Sequence, residues 1–169
     1  DEEVALLALI DIQAPRDEAA PAVDPTTLLR WFAIDLGRTL GADLAGSVDV
    51  LSALPPEQQL AYVLDQARAS GALPPDLGER ELRAYLDVFT ASLRAMQDYQ
   101  PRPYAGRVTL FRAGDRPLDE ADETLGWNAL VAAGVSVRVI PGDHYTIVRQ
   151  PHVATLAEQL RLSLAEAQM

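Results

Sequence analysis

The amino-acid sequence predicts an α/β protein in which a large helical insertion interrupts a parallel sheet. Three short segments rich in aliphatic residues, 4–10, 107–113 and 135–140, have the character of strands covered on both faces. Segments with apolar residues at helical spacing lie between and after them. This alternation is typical of parallel strands joined by right-handed crossover connections.

The first predicted strand runs from Val4 to Ile10 and ends on the carboxylate of Asp11. A strand that is apolar on both faces needs neighbouring strands on either side and further layers above and below. In a fold of this class, several strands normally precede such a strand, so its place at the start of the chain is unusual. We therefore expect the chain to begin in the middle of a fold, without the N-terminal half.

A helical block is predicted over residues 24–99. An aspartate cap and a proline at the first helical position begin the first helix at residues 24–25, and glycines end it near Leu40. A second helix is predicted over residues 56–71, closed by a glycine cap, and a third over residues 78–99 with one apolar stripe. The block is thus a large insertion in the first crossover.

The second predicted strand, residues 107–113, ends near Asp115. A short helix is predicted over residues 125–133, and a third strand follows over residues 135–140 until a proline and a glycine stop it. The last helix begins at Pro151 and has a stripe of apolar residues that we expect to be buried. The stripe consists of Val153, Leu156, Leu160 and Leu164.

Length, composition and charge exclude several classes of protein. With 169 residues, of which 49% are hydrophobic, the chain has enough apolar material for one domain with a sizeable core. A net charge of −11 argues against a nucleic-acid partner, because binding to phosphates needs a basic surface. No cysteine is present, which excludes disulfides and thiolate chemistry. The longest apolar run is too short to cross a bilayer, so we expect a cytoplasmic protein without a membrane partner.

Titratable residues follow all three predicted strands. His144 follows the third strand, and Asp11 and Asp115 follow the first and second. Because the carboxyl ends of parallel strands meet at one edge of a sheet, we expect a site there. His144 is a candidate general base, and either aspartate could orient it. A loop histidine without function is the alternative interpretation of His144.

Four segments together resemble a known family. They are Gly142-Asp-His144, Leu9-Ile10-Asp11, the stretch from Tyr99 to Phe111, and Thr124-Leu-Gly-Trp127. The chain resembles the C-terminal half of the thioesterase domains that end non-ribosomal peptide synthetases and polyketide synthases, which are α/β-hydrolases. The resemblance covers residues 4–166, and it implies that residues 15–99 contain the helical lid and the crossover helix of such a domain.

The resemblance implies catalytic roles for Asp11 and His144. In this family a serine nucleophile, an acid and a histidine act together and follow each other in that order along the chain. His144 would be the general base and Asp11 the acid that orients it. Asp115 is the rival acid, because other α/β-hydrolases carry the acid after the next strand. Asp143 is expected to shape the turn, and His152 is expected to be a surface histidine.

The serine elbow of the family, Gly-x-Ser-x-Gly, is absent from the sequence. The resemblance therefore implies that the nucleophile and the oxyanion-hole donors lie upstream of Asp1, and that this chain alone is inactive. The implied partners are that missing N-terminal half and an acyl or peptidyl carrier domain. No metal or organic cofactor is implied, because the phosphopantetheine arm belongs to the substrate. Release of the acyl chain would occur by hydrolysis or macrocyclisation.

Two other functions remain open at this point. One is a different α/β-hydrolase, such as a stand-alone editing thioesterase or an esterase, with Asp115 as the acid. The other is a non-catalytic helical binding module supported by the strands. Apolar and aromatic side chains of the helical block could line an acyl channel or simply form a core. These residues are Trp31, Phe32, Leu36, Tyr62, Tyr85 and Phe89.

Overall fold

The chain divides into two compact units in a computed structural model. The structure describes residues 4–15, 23–71, 73–74, 76–115 and 122–168. One unit consists of Asp1–Asp17 and Gln100–Met169 and contains the sheet. The other, Glu18–Tyr99, contains only helices among its described elements.

Three parallel strands form the sheet in the order β1-β2-β3. The strands are β1 (Leu7–Ile10), β2 (Val108–Ala113) and β3 (Val135–Ile140). Leu7 pairs with Val108, which in turn pairs with Val135. Because all three strands run in one direction, the segments after them meet at one edge of the sheet. The predicted parallel sheet is confirmed.

The central strand is the best-buried part of the described sheet. In β2, Val108, Leu110 and Phe111 are at most 1% exposed, whereas Ile10 of β1 is 43% exposed and Val139 of β3 is 55% exposed. The prediction that the first and third strands are covered on both faces is therefore wrong for the described residues. The reason is that β1 and β3 are the edge strands of the described sheet. The side chains of a neighbouring strand therefore flank theirs on one side only.

Helix α4 (His152–Ala167) packs against β3. Arg138 of β3 donates to Glu166 at 2.6 Å and to Gln159 at 3.3 Å, so hydrogen bonds as well as packing hold the helix on the strand. Leu164, predicted to be buried, is 45% exposed because it lies in the last turn, beyond the core cluster. The cluster contains Phe111, Ala113, Ile140, Ile147 and Leu156, with Ala8 and Leu160 packed against it.

The helical unit has its own core. Its elements are α1 (Pro25–Leu40), a 3-10 helix (Ala45–Ala53), α2 (Pro56–Ala69) and α3 (Glu79–Asp98). Leu51 and Leu82 are fully buried, and the rings of Phe32 and Phe89 meet edge-on with centroids 5.6 Å apart. The three predicted α-helices are confirmed, whereas the 3-10 helix was expected to be a plain connection.

The short helix predicted over residues 125–133 is wrong. The structure has a 3-10 turn, Trp127–Ala129, and Val131 forms a parallel bridge with Tyr104. Leu125 and Gly126 both have positive φ, 53° and 86°, which a right-handed helix does not allow. The segment is therefore a structured loop.

None of the helices in the described ranges combines the length and the apolar character that a membrane span requires.

Candidate active site

Asp11 follows β1 in a conformation that few residues other than glycine adopt. Its φ of 44° lies in the left-handed region, which costs a non-glycine residue about 1–2 kcal/mol. Two hydrogen bonds to β2 stabilise this conformation. The N–H of Asp11 donates to the carbonyl of Phe111 at 2.8 Å, and its Oδ1 accepts the N–H of Ala113 at 2.8 Å. The carboxylate is therefore buried and fixed at the edge of the sheet.

His144 lies in a turn that Asp143 organises. Oδ1 of Asp143 accepts the backbone N–H groups of Tyr145 and Thr146, each at 2.9 Å, and the Thr146 hydroxyl at 2.9 Å. The prediction that Asp143 shapes the turn is confirmed. The ring of Tyr145 packs edge-on against His144, with centroids 5.3 Å apart. These contacts limit the orientations open to the imidazole.

The two side chains meet at the carboxyl ends of β1 and β3. Nδ1 of His144 lies 2.9 Å from Oδ2 of Asp11 and 3.2 Å from its backbone carbonyl. The Asp11 side chain is fully buried, whereas that of His144 is 57% exposed. A proton on Nδ1 makes both contacts hydrogen bonds, which leaves Nε2 as the nitrogen that can accept a proton. The geometry is that of a histidine oriented by a buried carboxylate.

Asp115 and His152 lie elsewhere at this edge. Asp115 is exposed, and its backbone N–H donates to the carbonyl of Gly142 at 3.0 Å. The carboxylate at the His144 ring is that of Asp11, not that of Asp115. His152 begins α4 and is partly exposed, and its ring lies close to Gly142 in the turn before His144.

Gly142 allows the turn to form in this space. Its φ is 95°, and an added methyl group would lie 2.7 Å from Cδ2 of His152 and 2.8 Å from Oγ1 of Thr146. Both the backbone conformation and the close packing therefore require glycine. In the sequence, Gly142 stops the strand and belongs to the segment Gly142-Asp-His144, but the approach of His152 is a tertiary contact that the sequence does not show.

Two contacts to the segment after Asp11 were missed by sequence reasoning. The indole Nε1–H of Trp127 donates to the carbonyl of Ile12 at 2.8 Å, and the N–H of Ala14 donates to the carbonyl of Leu125 at 2.9 Å. The segment Thr124-Leu-Gly-Trp127 is part of the family resemblance, but no pattern in the sequence indicates which residues it contacts.

The aromatic and apolar side chains proposed for an acyl channel separate into two groups. Four of them, Phe32, Leu36, Tyr85 and Phe89, line an open apolar groove of about 560 Å³ within the helical unit. Of these, Phe32 is also part of the core. Tyr62 packs against the core outside this groove, and Trp31 is 44% exposed.

Among the residues that the structure describes, no three side chains of the metal-binding types come together as ligands. Asp11 and His144 are two potential ligands, whereas zinc sites in proteins use three or four. The chemistry that this pair supports directly is the transfer of one proton.

The model of the thioesterase domain matches residues 1–162. The chain belongs to the thioesterase domain family.

One curated relative of this chain is the chondramide synthase cmdD of Chondromyces crocatus. The two sequences are 26% identical over 172 residues, which cover 97% of the thioesterase chain and 4% of the synthase. The chain thus spans a small fraction of that relative's length.

Solved structures confirm that this chain has part of the α/β-hydrolase fold. The four-domain non-ribosomal peptide synthetase AB3403 matches with a TM-score of 0.84 and 32% identity over 94% of this chain and 12% of that one. The Vlm2 thioesterase domain matches with a TM-score of 0.54 and 27% identity, covering 92% of this chain and 57% of the Vlm2 chain. The thioesterase chain therefore spans little more than half of the Vlm2 chain.

Proposed function

We propose that this chain belongs to a chain-terminating thioesterase of a non-ribosomal peptide or polyketide synthase, with Asp11 and His144 as acid and base of a serine triad. The observation that carries the proposal is the 2.9 Å contact between the buried carboxylate of Asp11 and Nδ1 of the half-exposed His144. Relatives in multidomain synthetases support the substrate class, because an acyl or peptidyl chain in such an enzyme is held on a carrier domain as a thioester.

The serine of the triad lies upstream of Asp1 in this proposal. The sequence has no Gly-x-Ser-x-Gly segment, and that segment supplies the nucleophile in α/β-hydrolases. This chain alone is therefore inactive, and its partners are the N-terminal half of the same domain and the carrier domain. No metal or organic cofactor takes part in the reaction. The assignment of residues 15–99 as the lid and crossover helix stays a prediction.

In the first half of the reaction, Nε2 of His144 removes the proton from the serine hydroxyl as the oxygen attacks the thioester carbonyl. The C–S bond breaks, and His144 returns the proton to the phosphopantetheine thiolate. Asp11 remains a carboxylate and stabilises the imidazolium through Nδ1. The product of this half is an acyl-serine ester and a free carrier thiol.

In the second half, water or a hydroxyl or amine of the acyl chain gives its proton to Nε2 and attacks the acyl-serine ester. His144 then protonates the serine oxygen as the C–O bond breaks. Water releases an acid, whereas an internal hydroxyl releases a lactone and an internal amine a lactam.

Fluorophosphonate labelling of the full-length protein, followed by peptide mapping, tests the proposal. We expect one labelled peptide containing Gly-x-Ser-x-Gly from upstream of Asp1, and we expect labelling to fall at least about 10³-fold in His144→Ala. Asp115→Asn is the matched control and should label at the wild-type rate. The separately expressed chain of residues 1–169 should not label.

The outcomes separate this function from its rivals. Labelling with turnover of carrier-bound thioesters supports the release enzyme. Labelling without such turnover, but with hydrolysis of short acyl thioesters or simple esters, would identify an editing thioesterase or an esterase. A full-length protein that never labels, whatever its residue at position 144, would exclude the serine hydrolase and leave the helical binding module.

A further inference from the structure

The loop of residues 122–127, between β2 and β3, is held in shape by its first residue. Oδ1 of Asp122 accepts the N–H and the hydroxyl of Thr124, at 2.8 and 2.6 Å, and Oδ2 accepts the N–H of Gly126 at 2.8 Å. These bonds hold the pKa of the Asp122 carboxyl below its usual value, and the bond from the Thr124 hydroxyl has the largest effect. The loop is therefore stabilised by hydrogen bonds within itself.

Two hydrogen bonds join this loop to the acid segment, residues 11–14. Trp127 donates from Nε1 to the carbonyl of Ile12 at 2.8 Å, and the carbonyl of Leu125 accepts the N–H of Ala14 at 2.9 Å. Leu125 is 5% exposed, which anchors the loop in the sheet unit. The acid segment is thus held from the loop side as well as from β2.

The carbonyl groups of Asp11 and Ile12 are consecutive along the chain and have different partners. The Asp11 carbonyl lies 3.2 Å from Nδ1 of His144, and the Ile12 carbonyl accepts the Trp127 indole. The Ile12 carbonyl belongs to the next peptide, so the bond from Trp127 restrains the backbone torsions of Ile12, which link that peptide to the one carrying the Asp11 carbonyl. The bond from Trp127 therefore adds a restraint after Asp11, next to the exposed Ile12, to the two bonds that β2 makes with Asp11.

We propose that the loop of residues 122–127 positions the catalytic acid, with Trp127 as a positioning residue that acts through Asp11. The inference rests on the proposed function, since it assumes that Asp11 orients His144 during acyl transfer. Trp127 acts by holding the Ile12 carbonyl, which keeps Oδ2 of Asp11 directed at His144. The indole is a neutral donor, so its role is geometric.

Steady-state kinetics of Trp127→Phe in the full-length protein tests the inference, with an acyl thioester of N-acetylcysteamine as substrate. Phenylalanine keeps an aromatic ring and removes the N–H donor. We expect kcat to fall about 10-fold and KM to stay within about twofold, because the acid is misaligned and substrate contacts are unchanged. Asn128→Ala is the neighbouring control: Asn128 is exposed, and its change should leave kcat unaltered.

A double-mutant cycle with Asp11→Asn distinguishes positioning from general damage. If Trp127 acts through Asp11, its replacement should change kcat less than about twofold once Asp11 is asparagine. Wild-type kcat in Trp127→Phe, or the same 10-fold loss in the Asp11→Asn background, would overturn the inference. Should Trp127→Phe fail to fold, benzothienylalanine at position 127 replaces the N–H by sulfur while keeping the ring shape, and the same outcomes apply.

Crystal structures of the full-length wild type and Trp127→Phe give a measurement that needs no turnover. We expect the variant to lengthen the 2.9 Å contact between His144 and Asp11 or to move Asp11 out of its left-handed conformation. An unchanged contact and unchanged φ would overturn the inference even in an inactive protein. Absence of turnover and labelling in the wild type would instead refute the proposed function.

Discussion

Asp11 and Asp115 each follow a strand, but their surroundings suit different roles. Asp11 is buried, accepts the N–H of Ala113 and contacts the His144 ring, whereas Asp115 is exposed to solvent. A buried carboxylate with fixed partners can hold an imidazole in one tautomer and orientation. An exposed carboxylate in a turn has no comparable restraint. We therefore assign the acid role to Asp11 in the proposed mechanism.

Asparagine substitutions test this assignment. Asp11→Asn in the full-length protein keeps the side-chain shape but removes the charge that stabilises the imidazolium, so we expect kcat to fall by about 10³–10⁴-fold. Asp115→Asn should stay within about twofold of the wild type. The measurement is kcat for hydrolysis of an acyl thioester. The reverse ranking would assign the acid role to Asp115.

The turn before His144 gives a second residue-scale prediction. Gly142→Ala adds backbone strain at a φ of 95° and a methyl group within 2.7–2.8 Å of two side chains. Gly134→Ala is the matched control, because Gly134 has a φ of 89° and open space around its Cα. We expect Gly134→Ala to lower the free energy of unfolding by about 1–2 kcal/mol, and Gly142→Ala by clearly more.

Urea denaturation of the two full-length variants measures this difference. Equal losses would show that backbone strain alone accounts for the effect and that the space around Gly142 can relax. We also expect Gly142→Ala to lower kcat, because the turn carries His144, whereas Gly134→Ala should leave kcat unchanged.

At the scale of elements, α1 shows how a local signal sets a helix boundary. The Asp24 side chain accepts the N–H of Thr27 at 3.0 Å, and Gly41 ends the helix with a φ of 74°. Both residues act within a few positions of themselves, so the sequence shows their effect directly. The loop of residues 122–127 lacks this property, because its partners in the acid segment lie more than 100 positions away.

Asp24→Ala should lower the Tm for unfolding of the helical unit, which contains α1, by a few degrees at pH 7. Its hydrogen bonds to Thr27, that from the hydroxyl first, lower the pKa of the Asp24 carboxyl from the ordinary 3.8. The charged cap therefore stabilises the folded state above that value, and this stabilisation is lost as the pH falls through the lower pKa of the folded state.

Thermal unfolding of the wild type and Asp24→Ala between pH 7 and pH 3 checks this prediction. The Tm difference should be constant down to about pH 4 and shrink below it. Asp87→Ala, at an exposed position of α3, is the control and should show little change at any pH. A Tm difference between wild type and Asp24→Ala that grows in acid would contradict the capping role.

At the scale of the whole molecule, the two units have separate hydrophobic clusters. The helical cluster contains Leu51 and Leu82, and the cluster of the sheet unit contains Phe111 and Ile140. Among the residues that the structure describes, no buried residue belongs to both clusters. Separate cores allow one unit to open while the other keeps its structure.

Leu82→Ala tests the independence of the two cores. Leu82 is fully buried, so truncation should cost the helical unit about 2–5 kcal/mol. By native-state hydrogen exchange of the full-length protein, we expect amides of α1, α2 and α3 to exchange at least about 20-fold faster and those of β2 to keep their rates. Equal acceleration in both units would show that they unfold together.

Much of the fold was predictable from the sequence because its signals are local. Runs of valine, leucine and isoleucine indicated the strands, and proline, glycine and aspartate caps placed the helix ends near the observed residues. Asp11 and His144 could be chosen as candidates because both follow apolar strands that run in parallel. Local patterns failed at residues 125–133. A helix was predicted there, but Leu125 and Gly126 adopt positive φ angles that a right-handed helix does not allow.

The order of the three strands and of the four α-helices, the parallel sheet and the residues at its carboxyl edge could be inferred from sequence patterns. The folded chain was needed to show which aspartate meets His144, why position 142 needs glycine and which carbonyl accepts the Trp127 indole N–H. These features depend on contacts between residues far apart in the chain. Hydrophobic periodicity reports the face that a residue occupies, and it carries no information about which distant residue lies opposite.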